Sequence, residues 1–252
     1  MNETFNLDYA KLYDNLYNKK DYQDESNKII RLIKKHSSKK IENIKILDYG
    51  CGTGNHLSYF KKYTRNLFGY DKSKSMIKLA KQKEINKSIS FYSSKKSILS
   101  KDIKFDAVVM LFDVFSYLKN NDDINKELKF IKSIMKKNGL FIFQFWYGPS
   151  VMYANPKDFK KDIIINEKKI LKECKSKIDL NLNLVDIRYN FYNHKKKIIF
   201  SENHLIRYFF KDEIKNILKI NNFNLLKLGT LSKINSDLRP SDQYSVTCIS
   251  KN

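Results

Sequence analysis

The sequence predicts an α/β fold, a doubly wound and mostly parallel sheet, with an antiparallel β insert after the fifth strand. Three observations carry this. Short apolar strands alternate with helices over residues 44–147, the pattern of βαβ units. The chain has only seven glycines, and three of them, Gly50, Gly52 and Gly54, follow the first strand directly. After Gly148-Pro149 the helices stop and period-two alternation takes over to about residue 210.

Apolar residues recur at helical spacing from Tyr9, Leu12 and Tyr13 to Ile30 and Ile33, which predicts one helix over 8–36. IKILDY, Ile44–Tyr49, is the first strand, and His56–Tyr63 the helix after the glycines. Asn66–Tyr70 is the second strand and ends at Asp71; Ser73 or Ser75 caps the helix running to about Lys83. Ile89–Tyr92 is the third strand. FDAVVML, Phe105–Leu111, is the fourth, with the unbroken apolar character of a strand covered on both faces. A helix from Asp122 or Asp123 to about Lys137 stops at Asn138-Gly139, and Leu140–Tyr147 is the fifth strand.

In the insert, Ile178, Leu180, Leu182 and Leu184 share one phase and Val185, Ile187, Tyr189 and Phe191 the other, which predicts a β-bulge at Leu184–Val185. Ile198–Phe210 is its partner strand across a turn at Asn193–Lys197. A last helix, Lys211–Ile220, precedes closing strands at Phe223–Leu231 and Tyr244–Ser250. The units are then 1–40 (helical), 41–150 (the α/β core), 151–210 (the insert) and 211–252 (the core's last helix and strands).

Composition narrows the function. With 42% hydrophobic and 13% aromatic residues, the 252-residue chain has ample material for a core. Its formal charge of +22 raises the question of nucleic acid, but the lysines are scattered over many elements and no helix carries a basic stripe. Three distant cysteines without a CxxC argue against a zinc site or disulfide framework and for a reducing cytoplasm. No metal is expected. The acidic, polar N-terminus is unlike a signal peptide, and the most apolar stretch is too short to span a bilayer.

The segment ILDYGCGTGN places Asp48, Gly50, Gly52 and Gly54 between a strand and a helix, where bare backbone N–H groups and a helix N-terminus meet a ligand. The spacing is GxGxG, not the GxGxxG of dinucleotide binders. Asp71, at the end of the next strand, stands where a carboxylate accepts both ribose hydroxyls. On these residues the chain resembles the class I S-adenosylmethionine-dependent methyltransferases over about 40–147. The resemblance implies a Rossmann-like, seven-stranded sheet. It implies that Asp48 and the Gly50–Gly54 loop hold the methionine part of the cofactor, Asp71 its ribose and Met76 the adenine face. The backbone near Leu111–Phe112 would meet the methionine amine. Family members often have an Asp after the third strand for the adenine amino group; this chain has Tyr92-Ser93-Ser94-Lys95, leaving Ser94 as a weaker substitute.

YAKLYDNLYNKKDY, MLFDVFSYL, QFWYGP and SENHLIRYFF further resemble the small-molecule branch that includes nucleotide-sugar N-methyltransferases of amino-sugar pathways, and WYGP-type relatives of polysaccharide pathways. The branch implies an N-terminal helical lid with Tyr13 and Tyr17 at the cofactor, an insert that shapes the substrate pocket, and a nucleotide sugar or amino sugar as acceptor. Where the amino-sugar enzymes carry a His after the fourth strand, this chain has Tyr117.

Methyl transfer from a sulfonium is an in-line displacement, so the protein supplies alignment and excludes water. Tyr117 and His204 are the catalytic candidates, and Trp146, Tyr147, Glu202 and Arg207 the substrate-binding ones. On a strand Glu202 and His204 share a face and Arg207 lies on the other. His36, His56 and His194 read as surface or loop residues. An RNA acceptor and a non-catalytic cofactor-binding role are the alternative readings, and the insert's strands permit a homodimer.

Overall fold

The computed structural model describes residues 7–165, 168–232, 238–241 and 245–252. Five parallel strands, β1 (Ile46–Tyr49), β2 (Leu67–Tyr70), β3 (Ser90–Tyr92), β4 (Phe105–Met110) and β5 (Met135–Tyr147), lie in the order β3-β2-β1-β4-β5. The insert adds β6 (Phe159–Ile165), β7 (Lys168–Asp179), β8 (Leu184–Tyr192) and β9 (Ile198–Phe209), each antiparallel to the next. Two closing strands, β10 (Asn224–Gly229) and β11 (Ser245–Lys251), pair antiparallel, and β11 lies antiparallel along β5. The core is therefore the expected seven-stranded sheet, β3-β2-β1-β4-β5-β11-β10. The insert sheet joins it where β9 runs beside the end of β5, Trp146 opposite Tyr208 and Tyr147 opposite Phe209.

Side-chain alternation explains why the central strands are apolar throughout. Val108 and Met110 of β4 and Phe141, Phe143 and Phe145 of β5 enter one core, beneath α6 (Asn121–Ile134) and α8 (Lys211–Ile220). Their neighbours Ala107, Val109, Leu140 and Ile142 enter a second, beneath α2 (Tyr22–His36), α3 (Asn55–Phe60) and α4 (Lys74–Gln82). A strand covered on both faces loses its polar phase. Short helices α5 (Lys95–Leu99) and α7 (Gly148–Ala154) complete the core, and α1 (Leu7–Leu16) lies between the insert and α4. Among the described residues no helix is long and apolar enough to cross a membrane.

The structure corrects several expectations. The helix expected over 8–36 is two, because Asp21 leaves the helical conformation and accepts the Asp24 N–H at 2.8 Å to start α2. Helix α6 stops at Ile134, and Asn138-Gly139 lies inside β5 as an irregularity rather than a helix stop. There Asn138 takes a left-handed φ of 61°, and Asn252 pairs with its backbone and that of Gly139. The phase slip at Leu184–Val185 is a chain reversal between β7 and β8, not a bulge. Asp179 accepts from the Asn181 and Leu182 N–H groups, and Asn183 turns at φ 55°. The turn at 193–197 forms where expected, closed by Asn193 N–H to Lys197 O at 3.0 Å. Strand β6 and helices α5 and α7 were not expected. The beginning of the last strand, at Tyr244, lies outside the described residues.

Candidate active site

The glycine loop opens at the C-terminal edge of β1. Gly50, Gly52 and Gly54 all have positive φ, at 87°, 53° and 80°. The N–H groups of Gly50 and Cys51 donate to the Tyr70 carbonyl, which fastens the loop to β2. A Cβ on Gly50 would lie 2.6 Å from a Val114 methyl, whereas one on Gly52 would meet nothing nearer than the Tyr13 ring at 3.9 Å. Gly52 therefore presents bare backbone to open space. Gly54 starts α3 and packs under Asn86 and Phe91.

Two carboxylates flank the loop. Asp71 accepts the Gly52 N–H at 2.9 Å on Oδ2 and the Ser73 N–H at 2.8 Å on Oδ1. One acceptor position on each oxygen remains for a second donor. Asp48 is buried beneath the loop, and its Oδ2 has no partner among the described residues. Burial, then the charges of Asp71 and Glu25, push Asp48 up to about 8. An orphaned buried carboxylate oxygen, a carboxylate with spare acceptor positions and a glycine backed by empty space fit the methionine and ribose parts of S-adenosylmethionine. Gly50, Gly52 and Asp71 line a cavity of about 670 Å³, which Asp48 does not reach.

Helix α1 roofs this cavity. Asp14 ties it down, accepting from Thr53 Oγ1 at 2.6 Å and Asn55 Nδ2 at 3.0 Å and pairing with Lys83 at 2.8 Å. Tyr9 and Tyr17 share a hydrogen bond at 3.1 Å, and Tyr17 meets Phe112 edge-on. The Phe112 N–H donates to Gln144 Oε1 at 2.6 Å, and Lys20 lies over the Phe112 ring. Lys20 and His56 both reach Glu25 Oε2 at 2.6 Å. Burial opposes Glu25's ionisation, but the His56 hydrogen bond and Lys20 outweigh it and bring the carboxyl down to about 2. Burial holds His56 itself below the usual histidine value.

At the other end Tyr117 Oη and His204 Nδ1 lie 2.9 Å apart. Burial, then the neighbouring Tyr17, push the Tyr117 phenol far up. Burial, then Lys172, push His204 down to about 4. Both groups are neutral near pH 7 and share one hydrogen bond, in which the tautomer of His204 decides which of them donates. The rings of Tyr9 and Tyr189 stand edge-on to His204, and Trp146 closes the wall.

The structure thus brings Tyr13, Tyr17, Gly50, Gly52, Asp71 and Met76 to one cavity, together with Phe112, Tyr117, Trp146 and His204. Other expected site residues do not line it, Asp48 and Gly54 among them. Ser94 caps α5 and bonds Ser97. Tyr147 packs into the core beneath α8. Glu202 is buried on β9, opposite Tyr189. Arg207 pairs with Glu213 at 2.7 Å and Asn121 at 2.9 Å and lies over Phe209. His56, expected at the surface, is buried and lines the cavity. Tyr9, Tyr189, Lys95 and Glu127 were not expected there. Tyr9 opens the quoted N-terminal stretch and was within reach of sequence reading; Glu127 belongs to no motif.

Comparison with known proteins agrees with this geometry. A dTDP-3-amino-3,4,6-trideoxy-alpha-D-glucopyranose N,N-dimethyltransferase of Streptomyces venezuelae is 27% identical over 147 residues, 58% of this chain and 60% of that protein. A putative methyltransferase of Bacillus subtilis is 28% identical over 54% of this chain and 53% of its own length. The chain thus spans between half and two thirds of these curated relatives. The crystal structure of an S-adenosylmethionine-dependent methyltransferase from Clostridium acetobutylicum shares the fold, with a TM-score of 0.75, 23% identity and 97% of each chain covered. That of an amino pentose methyltransferase from Micromonospora echinaspora covers 100% of this chain and 99% of its own, with a TM-score of 0.71 and 15% identity. A family model described as a methyltransferase domain matches residues 20–228. With that match over most of its length, the glycine loop and the paired carboxylates, the chain belongs to the class I S-adenosylmethionine-dependent methyltransferases.

Proposed function

We propose that the protein methylates a small polar metabolite, a nucleotide-linked sugar or amino sugar, from S-adenosylmethionine. The observation that carries this reading is the enclosed aromatic end of the cavity, where Tyr117 and His204 stand among Tyr9, Tyr189 and Trp146 beneath α1 and the insert. Such a roofed space suits a small acceptor better than a base within an RNA chain. Relatives named as dTDP-amino-sugar N,N-dimethyltransferases support the same acceptor class.

Bound at the glycine loop, the cofactor supplies an electrophilic methyl group on a sulfonium. The chain's own residues do the rest. Asp71 and Gly52 hold and orient, and α1 with its tyrosines excludes water. Neutral His204 is a weak base, and Tyr117 keeps its proton. The pair is suited to orient a nucleophile by hydrogen bonding rather than to deprotonate an alcohol. A neutral amine needs no strong base, which favours nitrogen as the acceptor atom.

The test is transfer of label from methyl-labelled S-adenosylmethionine into extract of the protein's own source, with products separated by size. Label in the small anionic fraction is the expected result. Label in RNA would sink the reading, and would give the +22 charge a function. Tyr117→Phe should lower turnover while leaving S-adenosylhomocysteine affinity unchanged; equal turnover would reduce Tyr117 to packing.

A further inference from the structure

The end of β3 carries no acidic side chain: the chain there reads Tyr92-Ser93-Ser94-Lys95. The hydroxyl of Ser94 is committed to α5, accepting the Ser97 N–H at 3.2 Å and pairing with Ser97 Oγ at 2.7 Å, and Ser94 does not line the cavity. A carboxylate nevertheless stands close by. Lys95, the next residue, lines the wall and reaches Glu127 Oε2 of α6 at 2.5 Å. Tyr49 Oη, at the end of β1, donates to Glu127 Oε1. The Tyr49 ring packs 4.5 Å from that of Tyr70, the residue before Asp71. Two residues from separate elements, Lys95 and Tyr49, therefore hold the Glu127 carboxylate on the cavity wall, at the side where β2 and β3 end.

Glu127 is mostly buried, its side chain 14% exposed. Burial, then the charge of Glu127, raise the Tyr49 phenol far above its usual value, so Tyr49 remains a donor. Each carboxylate oxygen has two acceptor positions, and the two bonds use one on each. What remains can only accept. A purine carrying an amino group at position 6 offers a donor there; one carrying an oxo group offers an acceptor and meets a negative charge.

We propose that Glu127 reads the 6-amino group of the cofactor's adenine, in place of an acid at the end of β3. The proposal rests on the cofactor reading above. In its terms Lys95 is a positioning residue: it holds Glu127 in place and tempers its charge.

Calorimetric titration of the purified full chain tests this, with S-adenosylhomocysteine and its 6-oxo analogue, S-inosylhomocysteine, as probes. The wild-type protein should prefer the amino compound by about tenfold or more, because a site built to take a donor leaves the oxo compound unpaired. Glu127→Gln keeps the size and an oxygen for Tyr49 but adds a donor that suits the oxo group. It should bring the ratio towards one, by weakening the amino compound and strengthening the oxo compound. Equal affinities in the wild type, which need no variant to fold, overturn the proposal and leave the cofactor reading standing. So does an unchanged ratio in Glu127→Gln, or a ratio that collapses in Ser94→Ala. Binding of neither compound by the wild type overturns the cofactor reading and this proposal together.

Discussion

Replacing Asp71 with alanine separates what this carboxylate does for the ligand from what it does for the loop. In the protein alone its two oxygens accept the N–H groups of Gly52 and Ser73. Burial raises its pKa and those two bonds lower it, so part of their value is offset by desolvation. Their loss should cost about 1–3 kcal/mol of fold stability, the scale of unpaired buried donors. On the proposed cofactor reading, the positions left open would accept the two ribose hydroxyls. Hydrogen bonds to a charged group contribute about 1.5–3 kcal/mol, so S-adenosylhomocysteine should bind roughly ten- to a hundredfold more weakly. Asp71→Asn keeps one acceptor oxygen and should fall between. Thermal melting reads the first effect and calorimetry, well below the melting midpoint, reads the second. Wild-type affinity in a folded Asp71→Ala protein would refute the ribose assignment. A weakened affinity that recovers wholly on cooling would show that Asp71 serves only the loop.

Four further outcomes follow from the same geometry. Gly52→Ala should melt close to the wild type, since only the left-handed φ costs about 1–2 kcal/mol, yet lose most ligand affinity because its methyl enters the cavity. Gly50→Ala should instead lower the melting midpoint, because its methyl meets Val114 at 2.6 Å; the opposite ranking in melts and titrations would refute both readings. Arg207→Met should cost about 3 kcal/mol of stability by stranding Glu213, with S-adenosylhomocysteine affinity unchanged; a stable variant without turnover would return Arg207 to the substrate site. His204 titrates near 4 when folded and near its ordinary 6.5 when unfolded, so the unfolded chain binds the extra proton between those values. Wild-type stability should therefore fall relative to His204→Gln by about 3 kcal/mol as pH drops from 7 to 4, and parallel urea midpoints across that range would show that His204 is not buried neutral.

The core was legible because each central strand is apolar for a local reason. Ala107, Val108 and Val109 alternate between two cores, so the run lacks a polar phase and announces a strand covered on both faces. The misreadings share a different cause. Asn138-Gly139 is a strong local stop signal, and an α-helix precedes it, but the pairing of β5 with the C-terminal Asn252 turns the same two residues into an irregularity within a strand. At residues 180–183 the alternation of leucines hides a turn, because Leu180 and Leu182 are exposed and their apolarity carries no burial. Local chemistry was read correctly in both places. The partner that decides its meaning lies elsewhere in the chain.

The same distinction divides the site. Gly50, Gly52 and Asp71 sit on adjacent strand ends, and their chemistry follows from position alone once the strands are placed. Glu127 reaches Tyr49 across 78 residues, and Tyr117 reaches His204 across 87. No spacing rule connects such pairs. Tyr117 and His204 were marked by the family resemblance, Tyr117 standing where the amino-sugar enzymes carry a His and His204 lying in the SENHLIRYFF stretch. Glu127 is one acid among several on α6, a helix with an exposed face, and nothing in its neighbours separates it from a solvated side chain. Arg207 differs in the opposite direction. It stood out by type and by proximity to His204, yet strand alternation turns it to Glu213 and Asn121, away from the cavity. A residue's chemistry thus identifies a site only together with the face its backbone assigns it. For β9 that face was already implied by the even numbering of Glu202 and His204 against the odd number of Arg207.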